Sequence, residues 1–251
     1  MLPKFELILS GAALFFIIAV LLYAFSVGTP LQLLPQAFVV AACLAASLLM
    51  LFVFRLYGLR TAQGRIWLLF SAGMLLWFGG ELVLRLNFIT SAPLLLEVCW
   101  IMGYILLITA TWAAFSEVGG LKELKFRWAL ASSIPYVILL IAAALVVGAN
   151  LAQPAPETAL AYKFYLLADF ALMALSTAML FTLGSGLFAK PWLLALIAFV
   201  AKFLGDAFFI YQVGAGTYLA YPAVADIFRM LCYIFMALAA YSQIVIFQNL
   251  E

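Results

Sequence analysis

Long apolar segments alternate with short polar ones along almost the whole chain. Eight of these segments have the length of about 20 apolar residues that an α-helix needs to cross a bilayer. None alternates apolar and polar residues, as the strands of a membrane barrel would. We therefore predict an all-α integral membrane protein with eight transmembrane helices. The predicted helices lie at roughly 5–27, 33–56, 66–88, 92–115, 128–149, 160–183, 191–213 and 219–247.

The composition agrees with a membrane protein rather than a soluble domain. Hydrophobic residues make up 69% of the 251 positions, charged residues make up 9%, and the mean hydropathy is +1.25. Soluble domains carry about 25% charged residues on average. The first apolar segment is long and lacks a small-residue cleavage site, so we interpret it as a retained helix rather than a signal peptide.

Basic residues are concentrated on one side of the predicted bundle. The loops on the other side, around 28–32, 149–159 and 214–218, contain no Lys or Arg. The positive-inside rule predicts that the basic side is cytoplasmic. We therefore expect a multi-pass protein of the cell membrane with both termini in the cytoplasm, as an even number of helices requires. The residues of the basic side are Lys4, Arg55, Arg60, Arg65, Lys122, Lys125, Arg127 and Lys190.

Histidine is absent from the chain, and the three cysteines all lie in predicted helices. The lack of histidine excludes His-ligated haem, His-based metal centres and Ser-His-Asp catalysis. An odd number of cysteines without metal-ligand spacing argues against a disulfide framework or a zinc site. We therefore expect no metal, and we interpret Cys43, Cys99 and Cys232 as small core residues.

Two stretches of the chain match one another in their charged and aromatic positions, and a polar segment at 116–127 separates them. We predict a first four-helix repeat at 1–120 and a second at 121–251, parallel in orientation and joined in one bundle. Three matched pairs share one spacing, and the other two share a slightly longer one. The pairs are Trp67/Trp192, Gly80/Gly205, Glu81/Asp206, Glu97/Asp226 and Tyr104/Tyr233.

Five acids and four bases fall within or next to the apolar helices, mostly in the predicted outer half. Charged groups inside a membrane are costly and indicate a functional site. The spacings Glu81–Arg85, Lys202–Asp206 and Asp226–Arg229 also fit internal salt bridges. We expect a polar cavity that is open to the outer side. The candidate ligand-binding residues are Glu81, Arg85, Glu97, Tyr104, Asp169, Lys202, Asp206, Asp226, Arg229 and Tyr233.

Lys202 raises the question of a retinal Schiff base, since a desolvated lysine in a helix bundle is suited to one. Microbial rhodopsins have an acid one turn before this lysine, whereas this chain has Ala198 there. Asp206, one turn further on, offers an ion-pair partner instead. We therefore expect no cofactor.

The segment from Pro222 to Tyr233, preceded by Gly205-Asp206, resembles part of a known family of multi-helix membrane sensor regions. Those regions precede diguanylate cyclase and sensor histidine kinase domains. Their pattern is roughly Gly-Asp/Glu, an aromatic stretch, Pro-Ser-x-Ala-Asp and Tyr-x-x-Gly-Tyr. The resemblance implies an input module that senses a small ligand or lipid. The first half has a degenerate version with Gly80-Glu81, Pro93, Glu97 and Gly103-Tyr104.

No signalling domain follows Glu251, so we expect a standalone sensor to act through a separate signalling partner. The other partner that we expect is the lipid bilayer. No segment is typical of a nucleic-acid-binding module. This non-enzymatic sensor is our leading hypothesis.

Two alternatives remain open. Glu81 and Asp206 occupy places similar to the Gly-Asp and Ser-Asp of lysoplasmalogenases, which are eight-helix membrane hydrolases, although the His-x-x-Tyr of that family is absent. That resemblance implies an intramembrane hydrolase in which Glu81 and Asp206 share acid–base work on a lipid-like substrate. Parallel repeats around a polar site also suit a small-solute transporter.

Overall fold

The computed structural model of this chain describes residues 5–26, 33–86, 93–120, 156–184, 186–215 and 223–249. These residues form seven α-helices, each long and apolar enough to cross a membrane. The prediction of a multi-pass helical membrane protein is confirmed at this level. The helices are α1 (Phe5–Ser26), α2 (Leu33–Tyr57), α3 (Ala62–Arg85), α4 (Pro93–Glu117), α5 (Pro156–Leu183), α6 (Ala189–Gly214) and α7 (Ala223–Gln248).

One predicted helix, at 128–149, lies outside the described residues, so the total of eight stays a prediction. Helix α3 begins at Ala62, about one turn before its predicted start, and this additional turn is polar. Thr61 caps α3, since its Oγ1 accepts a hydrogen bond of 2.9 Å from the backbone N–H of Gly64. A hydropathy pattern does not detect this polar first turn, because a side-chain cap rather than apolar burial stabilises it.

Six of the helices follow one another in a closed ring. Helix α2 packs against α3, α3 against α4, α4 against α5, α5 against α6, α6 against α7, and α7 against α2. Helix α1 lies outside this ring and packs against α2 and α7. The buried core inside the ring is aromatic and sulfur-rich, with Met74, Trp77, Tyr104, Phe199 and Tyr233 at most 1% exposed.

Contacts between helix termini define two ends of the bundle. At one end, Arg85 of α3 contacts Asp226 in the first turn of α7. We call this the ionic end. At the other end, the side-chain amide of Gln243 donates a 2.6 Å hydrogen bond to the hydroxyl of Tyr57. We call this the basic end, because four described bases lie there without a described acid in ion-pair contact. They are Arg55, Arg60, Arg65 and Lys190.

Helices α3 and α4 approach closely because two indole rings rest on glycines of the opposite helix. A Cβ atom at Gly80 would lie 2.4 Å from Cδ1 of Trp100. A Cβ atom at Gly103 would lie 2.4 Å from Cδ1 of Trp77. Any side chain at either glycine would displace a buried ring. The two glycines therefore determine where the two tryptophans stand inside the ring of helices.

Neighbouring glycines of α3 provide a matched test of this packing. We expect Gly80→Ala to destabilise the protein by about 1–3 kcal/mol, the usual cost of overpacking, because Trp100 is buried and has to move. A Cβ at Gly79 meets only Cys99 Sγ at 3.6 Å, an ordinary contact. Gly79→Ala should therefore be neutral, or stabilise by up to about 1 kcal/mol through helix propensity.

The measurement is the free energy of unfolding in mixed micelles for both variants. Equal effects of the two substitutions would contradict the packing of Trp100 on Gly80.

Candidate functional site

A chain of alternating acids and bases runs through the ionic end of the bundle. It begins at Glu81, whose Oε2 lies 3.1 Å from Nη2 of Arg85, one turn further along α3. Both terminal nitrogens of Arg85 also contact Asp226 of α7, with Nη1–Oδ2 at 2.5 Å and Nη2–Oδ1 at 2.7 Å. Such two-point contacts are the strong form of a guanidinium–carboxylate pair. They join the last turn of α3 to the first turn of α7.

The helix dipoles favour the same arrangement. Arg85 lies in the last turn of α3, where the partial charge of the helix is negative, and Asp226 lies in the first turn of α7, where it is positive. Each charge is therefore stabilised by its own helix end as well as by its partner.

The chain continues from α7 to α6. Arg229 lies one turn after Asp226, and its Nη1 is 4.0 Å from Asp226 Oδ1. Its Nε lies 3.6 Å from Oδ1 of Asp206, and Lys202 Nζ donates to Oδ2 of the same carboxylate. Three bases therefore balance three acids, and none of their side chains is more than 8% exposed. In order, the members of this ionic chain are Glu81, Arg85, Asp226, Arg229, Asp206 and Lys202.

Four tyrosine hydroxyls donate hydrogen bonds to the acids of this region. Each tyrosine lies on a different helix from its acid, so every bond joins two helices. Hydrogen bonds to ionised groups are stronger than those between neutral groups. The pairs are Tyr23–Asp226, Tyr104–Asp206 and Tyr233–Glu81, each at 2.7 Å, and Tyr165–Glu97.

Two further carboxyls, those of Glu97 and Asp169, have no Lys or Arg within ion-pair distance among the described residues. Asp169 is fully buried in α5, and its Oδ1 lies 2.8 Å from the hydroxyl of Tyr104. Glu97 is only partly buried and lies in the first turns of α4. The site thus contains two more carboxyls than bases.

Hydrogen-bond counting predicts a proton on Asp169. The hydroxyl of Tyr104 has one hydrogen but faces both Asp169 and Asp206. Asp206 pairs with Lys202 and so is the ionised acceptor of that hydrogen. Once that hydrogen points to Asp206, the 2.8 Å contact between Asp169 Oδ1 and the Tyr104 oxygen is a hydrogen bond only when Asp169 carries a proton. Its Oδ2 has no hydrogen-bond partner in the described part of the chain, as expected for the carbonyl oxygen of a neutral carboxyl.

Trp77 lies between the two ends of the ionic chain. Its ring centroid is 4.8 Å from that of Tyr104 and 6.3 Å from that of Tyr233. Nζ of Lys202 lies over the same ring, 4.9 Å from its centroid. The indole therefore supplies a cation–π contact to Lys202 and packs against the tyrosine that binds Glu81.

A second aromatic group surrounds Arg229. Its guanidinium carbon lies 4.4 Å from the ring centroid of Phe209 and 5.1 Å from that of Trp100. The ring of Trp100 packs edge-on against Phe209 at 5.8 Å and against Tyr165 at 5.7 Å. This aromatic wall extends from the ionic chain to Glu97, since Tyr165 donates its hydroxyl hydrogen to that carboxylate.

The candidate binding residues named from the sequence all belong to the ionic chain or to the hydrogen-bonded pairs of tyrosines and acids described above. The predicted i,i+4 pairs Glu81–Arg85 and Lys202–Asp206 are confirmed, and Asp226–Arg229 lies at the limit of an ion pair. Lys163 is the fourth of the bases that the sequence places in the apolar helices; it is exposed and makes no ion pair with a described residue.

Sequence reasoning missed Tyr23, which bonds Asp226 from α1. The available signal was a lone tyrosine near the outer end of an otherwise apolar helix, at the predicted depth of the acids. It also missed Phe209, whose ring faces Arg229.

The geometry limits what the site can do chemically. Glu81 and Asp206, the predicted pair of a hydrolase, are both ion-paired, so neither is the neutral acid that would protonate a leaving group. The ammonium of Lys202 is held by Asp206. Among the described residues no group of acids and cysteines has a metal-binding arrangement. These ion pairs join α3, α6 and α7 at the ionic end.

No protein-family model, curated protein or solved structure matches this chain. The resemblances to membrane sensor regions and to lysoplasmalogenases therefore stay predictions.

Two aspartates that share Tyr104 provide a matched test of the proton assignment. Asp206→Asn removes the negative partner of Lys202 and Arg229, and breaking a buried ion pair costs about 3–5 kcal/mol. Asp169→Asn replaces a neutral carboxyl by an amide that can also donate to Tyr104, so we expect a loss below about 1 kcal/mol. The measurement is the free energy of unfolding in micelles.

Infrared spectroscopy adds an independent measurement. The carbonyl band of a buried protonated carboxyl should vanish in Asp169→Asn. A cost of Asp169→Asn as large as that of Asp206→Asn, with no loss of the band, would show that Asp169 is ionised.

Proposed function

We propose that the chain is a membrane-embedded sensor module whose ionic end binds a small organic cation. The supporting observation is the charge balance of the site, in which three bases face five carboxyls. Three carboxyls are neutralised within the ionic chain, and Asp169 is neutral through its proton. Glu97 has no positively charged partner among the residues that the structure describes, and an uncompensated carboxylate in a membrane-spanning helix is costly.

The surroundings of Glu97 suit an organic cation better than a hydrated metal ion. Tyr165 holds the carboxylate, and the ring of Tyr162 lies 6.3 Å from that of Tyr165 and 6.0 Å from that of Phe209. Ammonium groups bind over such rings when a carboxylate is near. Arg229, seated against Phe209 and Trp100, is an internal example of a cation held by the same wall.

The proposed orientation places this site on the outer side of a cell membrane, with the basic end in the cytoplasm. Support comes from Arg55, Arg60, Arg65 and Lys190, which all lie at the end opposite to the acids. The positive-inside rule assigns such an end to the cytoplasm. An eighth helix at 128–149 would return the chain so that both termini are cytoplasmic.

Two parallel repeats are the proposed architecture, and the hydrogen bonds between the halves support it. Tyr104 of the first half bonds Asp206 of the second, and Tyr233 of the second half bonds Glu81 of the first. Because these residues correspond in pairs in the sequence, the two bonds are related as a two-fold axis would relate them. The order of helices in the ring has the same symmetry.

The packing of the matched glycines also supports the repeat. A Cβ at Gly80 would meet Trp100, and a Cβ at Gly205 would lie 3.2 Å from Cγ of Arg229. Trp100 and Arg229 both lie one turn after the matched acids Glu97 and Asp226. The same close approach of paired helices therefore recurs at matched positions with different side chains.

Signal transmission would use the junction between the halves. A cation at Glu97 would contact the aromatic wall that also holds Arg229, and Arg229 contacts acids of α6 and α7. A ligand can shift a conformational equilibrium only by binding one state more tightly than the other. Repacking of the ionic chain is the proposed two-state element, and a separate signalling partner would detect it.

Binding to tetramethylammonium tests the proposed ligand class. We expect tetramethylammonium chloride to raise the thermal unfolding midpoint of the detergent-solubilised protein, relative to sodium chloride of equal ionic strength. A ligand at about 100 times its Kd stabilises the folded state by about 2.7 kcal/mol. The fluorescence of Trp100 should also change, and this change should have the same dependence on tetramethylammonium concentration as the rise in the unfolding midpoint.

Two glutamates of α4 serve as test and control. Glu97→Gln should remove the stabilisation by tetramethylammonium, while Glu117→Gln, an exposed residue at the other end of the helix, should keep it. Equal stabilisation of the two variants would contradict an organic-cation site. So would the absence of any stabilisation of the unmodified protein by tetramethylammonium, choline and butylammonium.

A further inference from the structure

A groove between α1, α2 and α7 lies outside the ring of helices and is separate from the ionic end. Its volume is about 490 Å³, within the range of about 300–1,000 Å³ that is usual for small-molecule sites. It extends from the middle of the bundle to the basic end. Apolar and small side chains form its walls, with Tyr241 as the polar exception. Residues that line the groove include Ile8, Gly11, Ala42, Ala45, Leu238 and Tyr241.

The groove exists because α1 packs loosely on its neighbours. A Cβ at Gly11 would have no other atom within 4 Å, so the space next to this glycine is open. On the opposite wall, Ala42 and Ala45 are too short to reach across. Walls that face a gap lose the dispersion contacts that a filled groove would provide. In the apolar core of a bilayer, a hydrocarbon chain is the group that can fill such a gap.

A positive charge stands at the basic end of this groove. Nζ of Lys190 lies 3.4 Å from the ring centroid of Phe5, and that ring stacks on Tyr241, a groove residue, at 6.2 Å. Lys190 has an exposed side chain. Glu6, the acid next to Phe5, is also exposed and makes no ion pair with Lys190. The ammonium is therefore available to an anion at the membrane surface.

The helix that carries Lys190 adds to this positive field. Helix α6 begins at Ala189, and its N-cap residue Phe188 makes no side-chain hydrogen bond. Helix N-termini carry a partial positive charge, which attracts anions. The first N–H groups of α6 already bond the carbonyls of Gly186 and Leu187, so the helix contributes its field and no direct hydrogen bond. The basic residue in this first turn is unfavourable for the helix alone, and an anion bound beside it would remove that conflict.

We propose that this groove is a binding site for a membrane phospholipid with an anionic headgroup. One acyl chain occupies the space beside Gly11 and Ala45, and the phosphate lies at the ammonium of Lys190. The inference is independent of the cation site at Glu97, because it uses other helices and the other end of the bundle.

Competition between two lipids with identical acyl chains tests the headgroup contact. The full-length protein is incubated with equal amounts of phosphatidylglycerol and phosphatidylcholine in detergent, and native mass spectrometry measures the ratio of the bound lipids. We expect phosphatidylglycerol to be preferred. A basic residue near the membrane surface contributes about 1 kcal/mol to the binding of anionic lipid, so Lys190→Gln should reduce the preference by about fivefold.

Lys163→Gln is the matched control for this charge, because Lys163 is exposed on α5 and lies toward the ionic end. It should leave the ratio unchanged. No preference for phosphatidylglycerol in the unmodified protein, or equal ratios in the two variants, would overturn the assignment of Lys190.

A filling variant tests the groove itself. Gly11→Leu places a side chain into open space, and replacing a helical glycine should not harm folding. We expect it to reduce retention of both lipids while leaving their ratio unchanged. Ala13→Leu, at an exposed position of α1 outside the groove, should retain lipid as the unmodified protein does. Full lipid retention in Gly11→Leu would show that the acyl chain lies elsewhere.

Discussion

The cost of a charge in a hydrocarbon environment is the constraint on which this structure depends. Six charged side chains lie almost completely buried in helices that are otherwise apolar. They satisfy the constraint by alternating in sign, so that every acid contacts a base and the ionic chain as a whole is neutral. A pair left incomplete would expose the remaining charge to a medium that solvates it poorly. The helices that contribute these residues, α3, α6 and α7, are held in mutual register for this reason.

Tyrosines extend this electrostatic core to the other helices. Tyr23 brings in α1, Tyr104 brings in α4, and Tyr165 joins α5 to α4. The bonds Tyr104–Asp206 and Tyr233–Glu81 cross between the predicted halves of the chain, so each of these acids has a base from its own half and a tyrosine from the other. A change of charge at one of these acids would therefore alter hydrogen bonds and ion pairs in both halves. This coupling is the physical basis of the proposed sensor, in which the ligand binds at Glu97, an acid of the site that has no ion-pair partner among the described residues.

The sequence predicted the helices well because the hydropathy signal of a membrane span is strong. It also predicted the pairs Glu81–Arg85 and Lys202–Asp206, because residues four apart on a helix are neighbours. It did not predict that Arg85 would contact Asp226, since this contact depends on how distant helices pack. Lipid is as apolar as leucine, so a span facing lipid and one facing protein differ little in pattern. Tyr23 was missed because its contact with Asp226 also depends on how distant helices pack. The proton predicted on Asp169 follows only from the position of Tyr104.

The most direct test of the neutral ionic chain is a double-mutant cycle between its two ends. Glu81 and Lys202 make no ion pair with each other, and removing both keeps the chain neutral. The free energy of unfolding is measured for Glu81→Gln, Lys202→Met and the double variant. If the charges form one balanced unit, the double variant loses less stability than the sum of the single losses, by about 1 kcal/mol or more. Additivity within about 0.5 kcal/mol would mean that the ion pairs are independent, and it would contradict this account.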